Sequence, residues 1–343
     1  MKKILLISNG HAEDLVADKL IAEFGQSCEI TKLPLVNTSL PSGGFSLRNF
    51  KFLWQDIRRG LLGQTIKNIL ALKRLRGKID VSIAIGDLVP IIGALIAGAP
   101  FVFVGVNKSS YYKTFGYNYT PWEKFLLKKY AIKTYVRDEE TLKDLTFAKY
   151  VGNPLMDCLL PLSIKWRGVA EQSSAGVRIG FLPGTRADAK LNLKDFADIA
   201  KEIIKLKPAQ VEVALITATK EKDVPAYLQN KPFEQVLEQA TMIIGLSGTG
   251  NEQAAGCGIP IIAFPGRGSQ YNKKFAKAQK ELLGEALILI DHFDPSFIAG
   301  QVWELVKDPD RQEQMSQTGQ SRMGQGRAIK QIGIDLNEII QPR

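Results

Sequence analysis

Short apolar segments alternate with amphipathic segments along most of the chain. Runs such as 81–85 and 259–264 are apolar almost throughout, which is typical of strands covered on both faces of a parallel sheet. Between such runs, apolar residues at helical spacing predict helices, for example over 195–206 and 272–283. Strand–helix alternation predicts a parallel α/β sheet. The predicted strands are 3–7, 28–33, 80–85, 101–106, 132–136, 148–151, 177–182, 211–216, 241–245, 259–264 and 286–290.

The alternation is interrupted once, between Gly152 and Gly176, where prolines and a small polar run predict a linker. It restarts at Val177. We therefore expect two Rossmann-like parallel-sheet domains facing a cleft, which is the usual place for a ligand. The predicted boundaries are 1–155 for the first domain, 156–176 for the linker, 177–325 for the second domain and 326–343 for a C-terminal helix.

Composition excludes several classes of protein. The 343 residues suit two domains, and the three cysteines are far apart with no C-x-x-C pair, which fits a reducing cytoplasm rather than a disulfide framework. With two histidines, zinc catalysis is disfavoured, and we predict no metal and no cofactor. The uncharged segment 88–106 is long enough to span a bilayer, but its glycines and prolines favour a buried helix, a turn and a strand.

Positive charge is concentrated between residues 45 and 78. This segment holds nine basic residues and one acidic residue, interleaved with aromatic side chains, within a chain of net charge +10. Such a pattern indicates a surface that lies on an anionic membrane, whereas no recognised nucleic-acid module surrounds it. The alternative is a solvated helix face. The candidate membrane residues are Arg58, Arg59, Arg74 and Arg76.

Two turns in the first half follow predicted strands, where ligands of open sheets bind. In the turn 8–11, Gly10 permits close approach of a ligand and His11 is a candidate base; the alternative is a helix start capped by Asn9. Asp87 directly follows a strand and is either a general base or the N-cap of the next helix. The chemistry alone does not decide between Asp87 and His11 as the base.

Two turns in the second half have the composition of anion sites. In 182–186, the N–H groups of Gly184 and Thr185 are candidates for a phosphate and Arg186 for its charge; the alternative is a plain turn with an exposed arginine. The segment 245–252 leads from a strand into a helix N-terminus, so its N–H groups are expected to face an anion. Glu252 then either accepts hydrogen bonds from a ribose diol or complements the helix dipole. The anion-site residues of this segment are Ser247, Gly248, Thr249 and Gly250.

These motifs together resemble a known family. The segments 151–157, 181–186 and 247–252 are similar to the "VGHPL.D", "LLPGSR" and "SGT...E" motifs of lipid-A-disaccharide synthase and of the bacterial proteins related to it. A more distant resemblance is to the peptidoglycan N-acetylglucosaminyltransferase. All have the GT-B glycosyltransferase fold. The similarity extends over nearly the whole chain and is more specific in the second half.

The resemblance implies roles for individual residues. Glu252 would bind ribose, Gly248 to Gly250 with Arg186 would bind the diphosphate, and Gln270 would bind the sugar. Asp87 matches the position of the family's catalytic aspartate. The C-terminal helix would pack back on the first domain, which would take the acceptor side.

We therefore predict a cytoplasmic glycosyltransferase, metal-independent and inverting, bound peripherally to the inner face of the membrane. It would move a sugar from a UDP-sugar to a lipid-linked or glycolipid acceptor, without a nucleic-acid partner, and a homodimer is left open. One alternative is a non-hydrolysing UDP-sugar 2-epimerase, which shares the ribose-binding glutamate without needing the basic face. Another alternative is a catalytically silent scaffold that binds membranes.

Overall fold

The computed structural model describes residues 1–24, 28–35, 61–112, 118–158, 176–185, 188–268, 270–324 and 326–340. The chain divides into two compact units. Unit 1 consists of Met1–Cys158 with Gln325–Arg343, and unit 2 is Leu159–Gly324.

Strands and helices alternate through both units. The strands are β1 (Lys2–Ser8), β2 (Cys28–Pro34), β3 (Val81–Gly86), β4 (Phe101–Gly105), β5 (Ala131–Val136), β6 (Lys149–Tyr150), β7 (Val177–Leu182), β8 (Val213–Thr217), β9 (Gln229–Asn230), β10 (Met242–Gly245), β11 (Ile261–Ala263) and β12 (Leu287–Leu289). The helices are α1 (His11–Phe24), α2 (Leu61–Leu75), α3 (Leu88–Ala97), α4 (Pro121–Tyr130), α5 (Ala189–Lys205), α6 (Phe233–Gln239), α7 (Gly248–Gly256), α8 (Lys273–Leu283), α9 (Pro295–Val306), α10 (Pro309–Met323) and α11 (Ala328–Ile340).

Unit 1 is a parallel sheet with the strand order β2-β1-β3-β4-β5-β6. Successive strand residues point to opposite faces, so Leu6 packs with α1 and α11 on one face while Leu5 packs with α2, α3 and α4 on the other. Because helices cover both faces, most positions of the central strands are apolar, with the buried Ser82 of β3 as an exception. This is why the strands of unit 1 read as continuous apolar runs rather than as alternating ones.

Unit 2 repeats the architecture with the order β12-β11-β10-β7-β8-β9, again with all strands parallel. Three aromatic rings join its central strands to α5: the ring of Phe196 lies 5.3 Å from that of Phe181 and 6.2 Å from that of Phe264. Helix α9 is fixed to α5 by Trp303, whose indole N–H donates to the carbonyl of Ile203 at 3.1 Å. Successive residues of β10, Ile243 and Ile244, are both fully buried, so the core of unit 2 lies on both faces of this strand.

The structure confirms the predicted fold class, two Rossmann-like parallel sheets with flanking helices, and each of the eleven predicted strands is present. The twelfth, β9, was missed because Gln229–Asn230 is a two-residue edge strand whose side chains are exposed and polar. The uncharged segment 88–106 forms α3 and β4, as expected. Among the described helices, none combines the length and apolar character needed to cross a bilayer.

A polar cluster around Asp335 fastens α11 to the sheet of unit 1. The buried carboxylate accepts hydrogen bonds from the Tyr135 hydroxyl at 2.7 Å, the Lys149 ammonium at 2.9 Å and the Gln331 amide at 2.9 Å. Burial opposes ionisation, but these hydrogen bonds and the charge of Lys133 outweigh it and hold the pKa of Asp335 well below its usual range. The cluster therefore joins residues that are up to 200 positions apart in sequence.

We expect Asp335→Asn to lower the free energy of unfolding by about 2–3 kcal/mol at pH 7, because the lysine and tyrosine lose their charged partner. Since the folded-state pKa is depressed, the contribution of Asp335 is present above its ordinary pKa and is lost as the pH falls through the folded value. The deficit of the variant, measured by thermal unfolding, should therefore shrink in strong acid. Asp223→Asn, at an exposed site of unit 2, is the control and should be neutral. An equal deficit at every pH would contradict this account.

Candidate functional site

The order of the strands brings the predicted turns together at two points. In unit 1, β1 lies between β2 and β3. The chain therefore crosses from β1 to a strand on one side of it, β2, and then returns to a strand on the other side, β3. In unit 2, β7 lies in the same way between β8 and β10. Ligands of open α/β sheets bind at such reversals of strand order, beyond the carboxyl ends of the strands. The four turns singled out in the sequence follow β1, β3, β7 and β10.

Asp87 lies at the reversal point of unit 1 and is the N-cap of α3. Its Oδ1 accepts hydrogen bonds from the Val89 backbone N–H and from the Asn9 side-chain amide, both at 3.0 Å. Helix α1 begins at His11, so Asn9 does not cap it directly but instead joins the first turn to the second. The helix-cap interpretation of Asp87 is thus what the contacts show, and a role as general base stays a prediction.

Glu13 lies beside Asp87; the sequence places it near the predicted cleft, but it is not among the predicted site residues. It is 4% exposed, and its Oε1 accepts a hydrogen bond from the Asn107 side chain at 2.5 Å. Gly86 has φ +126°, a conformation that favours glycine, and a Cβ there would lie 2.9 Å from Glu13 Cγ. At Gly10, a Cβ would lie 3.0 Å from Glu13 Oε2. Two glycines therefore make room for this carboxyl group, and their occurrence after neighbouring strands was the available sequence signal.

The two acids of unit 1 have perturbed pKa values. Burial raises the pKa of Glu13 to about 7, and the negative charge of Asp87 adds to the shift. Burial also raises the pKa of Asp87, opposed by the Val89 N–H and the positive charge of Lys108. The site therefore holds two carboxyl groups, one of which exchanges a proton near neutral pH.

Lys108 supplies a cation near these acids. Its ammonium group forms an ion pair with Glu123 and lies 4.7 Å from the centre of the Tyr119 ring. The buried Glu123 is held in turn by Thr120, whose backbone N–H and hydroxyl donate to Oε2 at 2.7 and 2.8 Å. The strand β4 thus contributes Asn107 and Lys108 to the site through the loop that follows it.

In unit 2, the turn after β10 forms the N-terminus of α7. Ser247 is its N-cap, with Oγ accepting from the Gly250 N–H at 3.2 Å. The first N–H groups of a helix have no intrahelical acceptor and carry partial positive charge, so this end of α7 suits an anion. Gly248, Thr249 and Gly250 form the first turn, as the sequence predicts.

The turn after β7 lies beside this helix end. Gly184 has φ +85°, and a Cβ there would lie 3.5 Å from the carbonyl oxygen of Leu246. The turn is held by Asn192 of α5, whose amide donates to the Pro183 carbonyl at 2.9 Å. Thr185 is exposed. The predicted phosphate partner Arg186 lies outside the described residues.

Glu252 and Gln270 complete the predicted residues of unit 2. Glu252 is the fifth residue of α7, which begins at Gly248, so it lies in the second turn and is 9% exposed. The helix-dipole explanation is weaker there because the dipole acts mainly within the first turn. The Gln270 backbone N–H donates to Asp188 Oδ2 at 2.8 Å, which ties the loop after β11 to the loop after β7. Binding of ribose and sugar stays a prediction.

The remaining predicted residues are His11 and the four candidate membrane arginines. The side chain of His11 is outside the described residues, as are Arg58 and Arg59. Arg74 and Arg76 are exposed near the end of α2. Membrane binding by these arginines stays a prediction. Within the described ranges, no group of three or more histidine, cysteine, aspartate or glutamate residues could hold a metal ion.

Structure comparison finds chains of the same architecture. One is a putative UDP-N-acetylglucosamine 2-epimerase from Listeria monocytogenes, with 13% identity, TM-score 0.65, and coverage of 100% of this chain and 97% of that one. Another is the UDP-GlcNAc 2-epimerase from Neisseria meningitidis bound to UDP-GlcNAc, with 15% identity, TM-score 0.60 and coverage of 98% and 100%. A third is the calicheamicin glycosyltransferase CalG4, with 15% identity, TM-score 0.63 and coverage of 99% and 100%. No protein-family model and no curated protein sequence matches the chain.

These comparisons correct the functional prediction. The neighbours are mostly UDP-GlcNAc 2-epimerases rather than lipid-A-disaccharide synthases, so the resemblance to that synthase is wrong. The prediction of sugar transfer to a lipid-linked acceptor in glycolipid biosynthesis, which rested on it, is wrong as well. The physical reason lies in the motifs. Turns with glycine and serine at a helix N-terminus serve any nucleotide-sugar site of this fold and do not distinguish the reaction.

We expect Glu13→Gln to stabilise the protein at neutral and alkaline pH. Because the folded state raises the pKa of this acid from 4.5 to about 7, wild-type stability falls as the pH rises above 4.5 and stops falling above about 7. The advantage of the variant should therefore grow across this window to about 3 kcal/mol. Thermal unfolding between pH 4.5 and 8.5 measures it. The control Glu29→Gln, at an exposed site of β2, should show no such window, and a Glu13→Gln curve parallel to the wild type would refute the shift.

Proposed function

We propose that this protein is an enzyme that acts on a UDP-sugar, and that its reaction is 2-epimerisation of a UDP-N-acetylhexosamine. The observation that carries the proposal is the buried pair Glu13 and Asp87 at the reversal point of the unit 1 sheet. Support for the substrate class comes from the epimerase neighbours, one of which is bound to UDP-GlcNAc.

The nucleotide is assigned to unit 2. The N-terminus of α7 and the turn at Gly184 lie side by side, and both offer backbone N–H groups to a diphosphate. Glu252 is the acceptor for the ribose hydroxyl groups. No metal is required in this proposal, because the helix end itself carries the compensating positive charge.

The acid–base chemistry is assigned to unit 1. For inversion at C2 of the sugar, one group takes the C2 proton while the electron pair of the broken C2–H bond forms a C1=C2 double bond and expels UDP from C1. UDP then adds back to C1 while a second group delivers a proton to the opposite face of C2. Asp87 is the base in the proposal, because the Val89 N–H and the charge of Lys108 favour its ionised form, and Glu13, which holds a proton near neutral pH, is the acid. Lys108 and Asn107 restrain the pair by charge and by hydrogen bond.

The reaction is tested by proton NMR of UDP-GlcNAc incubated with the protein in D₂O. We expect signals of the C2 epimer to appear and deuterium to replace the C2 hydrogen. Asp87→Asn should slow this exchange by about 10²–10⁴-fold, with UDP affinity unchanged. Asp223→Asn is the matched control and should retain full activity. Binding of UDP without any exchange at C2 would reject epimerisation and leave the substrate class standing, whereas net release of UDP without exchange would indicate a reaction at C1.

Nucleotide binding is tested separately by calorimetric titration with UDP. We expect Glu252→Gln to weaken binding at least about tenfold, because hydrogen bonds to an ionised acceptor are worth about 1.5–3 kcal/mol each. Glu238→Gln, at an exposed position of α6, serves as the control and should bind like the wild type. Equal affinity of the Glu252 variant and the wild type would remove Glu252 from the ribose site.

A further inference from the structure

Gln279 of α8 is buried directly beneath the first turn of α7. Its amide nitrogen donates to the carbonyl of Gly248 at 2.9 Å and to that of Ser247 at 3.3 Å. Its amide oxygen accepts from the Tyr271 hydroxyl at 2.6 Å and from the Asn251 amide at 2.8 Å. Each side-chain atom of the carboxamide that can form hydrogen bonds therefore has two partners.

The neighbours of Gln279 determine which end of its carboxamide is the nitrogen and which is the oxygen. Asn251 also donates to the Gly245 carbonyl at 3.0 Å, so its nitrogen faces acceptors and must meet the oxygen of Gln279. The Gln279 nitrogen is then left for the two turn carbonyls. Gly245 allows the network to come this close, since a Cβ there would lie 1.9 Å from Asn251 Oδ1.

The contact to the two carbonyls has a consequence for the other side of the turn. In a planar trans peptide, the C=O and N–H groups point in opposite directions. Holding the carbonyls of Ser247 and Gly248 against Gln279 therefore turns the N–H groups of Gly248 and Thr249 away from the core. These are the first N–H groups of α7, whose intrahelical acceptors are missing.

We propose that Gln279 is a positioning residue that aims the N–H groups of Gly248 and Thr249 at the diphosphate of the bound nucleotide. This inference rests on the proposed function, because it takes UDP as the ligand of unit 2. Gln279 itself touches only the protein, so its effect reaches the nucleotide through the orientation of two peptide groups. The effect should fall on the diphosphate and spare the nucleoside.

The test compares affinities for UDP and for uridine, by calorimetry for UDP and by ligand-observed NMR for uridine. We expect Gln279→Met to weaken UDP about tenfold while uridine changes less than twofold. Gln279→Glu should weaken UDP further, because it keeps the acceptor for Tyr271 and Asn251 but places an oxygen against two carbonyl oxygens. Gln312→Met is the matched control: Gln312 is also buried, and its nitrogen donates to the Leu305 carbonyl at 2.7 Å, away from the turn. It should lower stability and leave both affinities unchanged.

Two results would overturn the inference. One is a folded Gln279→Met variant with an unchanged ratio of UDP to uridine affinity. The other is an equal loss for both ligands, which would indicate a general structural role. If the Gln279 variants do not fold, Tyr271→Phe removes one hydrogen bond to the Gln279 oxygen and keeps the ring; it should lower the same ratio by a smaller factor, and an unchanged ratio would again overturn the inference. Failure of the wild type to bind UDP at all would instead refute the proposed function.

Discussion

The central position of β1 and of β7, each the first strand of its unit, is the constraint on which both candidate sites depend. Because the strands on either side of each are reached by connections running in opposite directions, the loops beyond them diverge and leave an opening at the carboxyl edge. Helices α3 and α7 begin at these edges, which places Asp87 and Ser247 as N-caps beside the openings. The positions of the acids and of the anion-binding turn follow from the strand order.

The openings are lined by glycine where a larger residue would be expected in a buried strand end. A Cβ at Gly86 would collide with Glu13, and a Cβ at Gly245 would collide with Asn251, so the two glycines leave room for these polar side chains. Both exchanges replace a small apolar contact by a buried polar group, which costs stability unless the group is hydrogen-bonded. Asn107 meets that need for Glu13 only in part, because the pKa of the acid remains raised. Both positions therefore depart from the apolar pattern expected in a buried strand, and they do so where a reaction or a ligand is proposed. Such departures are common at functional sites.

The proposed roles of the two units follow from their charges. An ionised Asp87 repels a diphosphate, whereas a capped helix N-terminus attracts one. The proposal therefore assigns the nucleotide to unit 2 and proton transfer to unit 1. Lys108 moderates the negative potential at the first site without neutralising it, since its own ammonium is paired with Glu123. The fold itself is shared by epimerases and a glycosyltransferase, so the reaction is decided by these side chains and not by the architecture.

The sequence by itself determined the buried strands, because burial on both faces demands apolar runs. It also determined the turns, because glycine, serine and aspartate after a strand mark tight connections. It predicted Asp87, Gly184 and the first turn of α7 for that reason. Only the tertiary structure selected Glu13 and Gln279. Glu13 meets Asn107 across 94 positions, and Gln279 meets Gly248 across 31. A local sequence pattern indicates which backbone conformation a segment prefers. It does not indicate which distant side chains the folded sheet brings within hydrogen-bonding distance. Those distant contacts decide which acid is buried and which amide holds a turn.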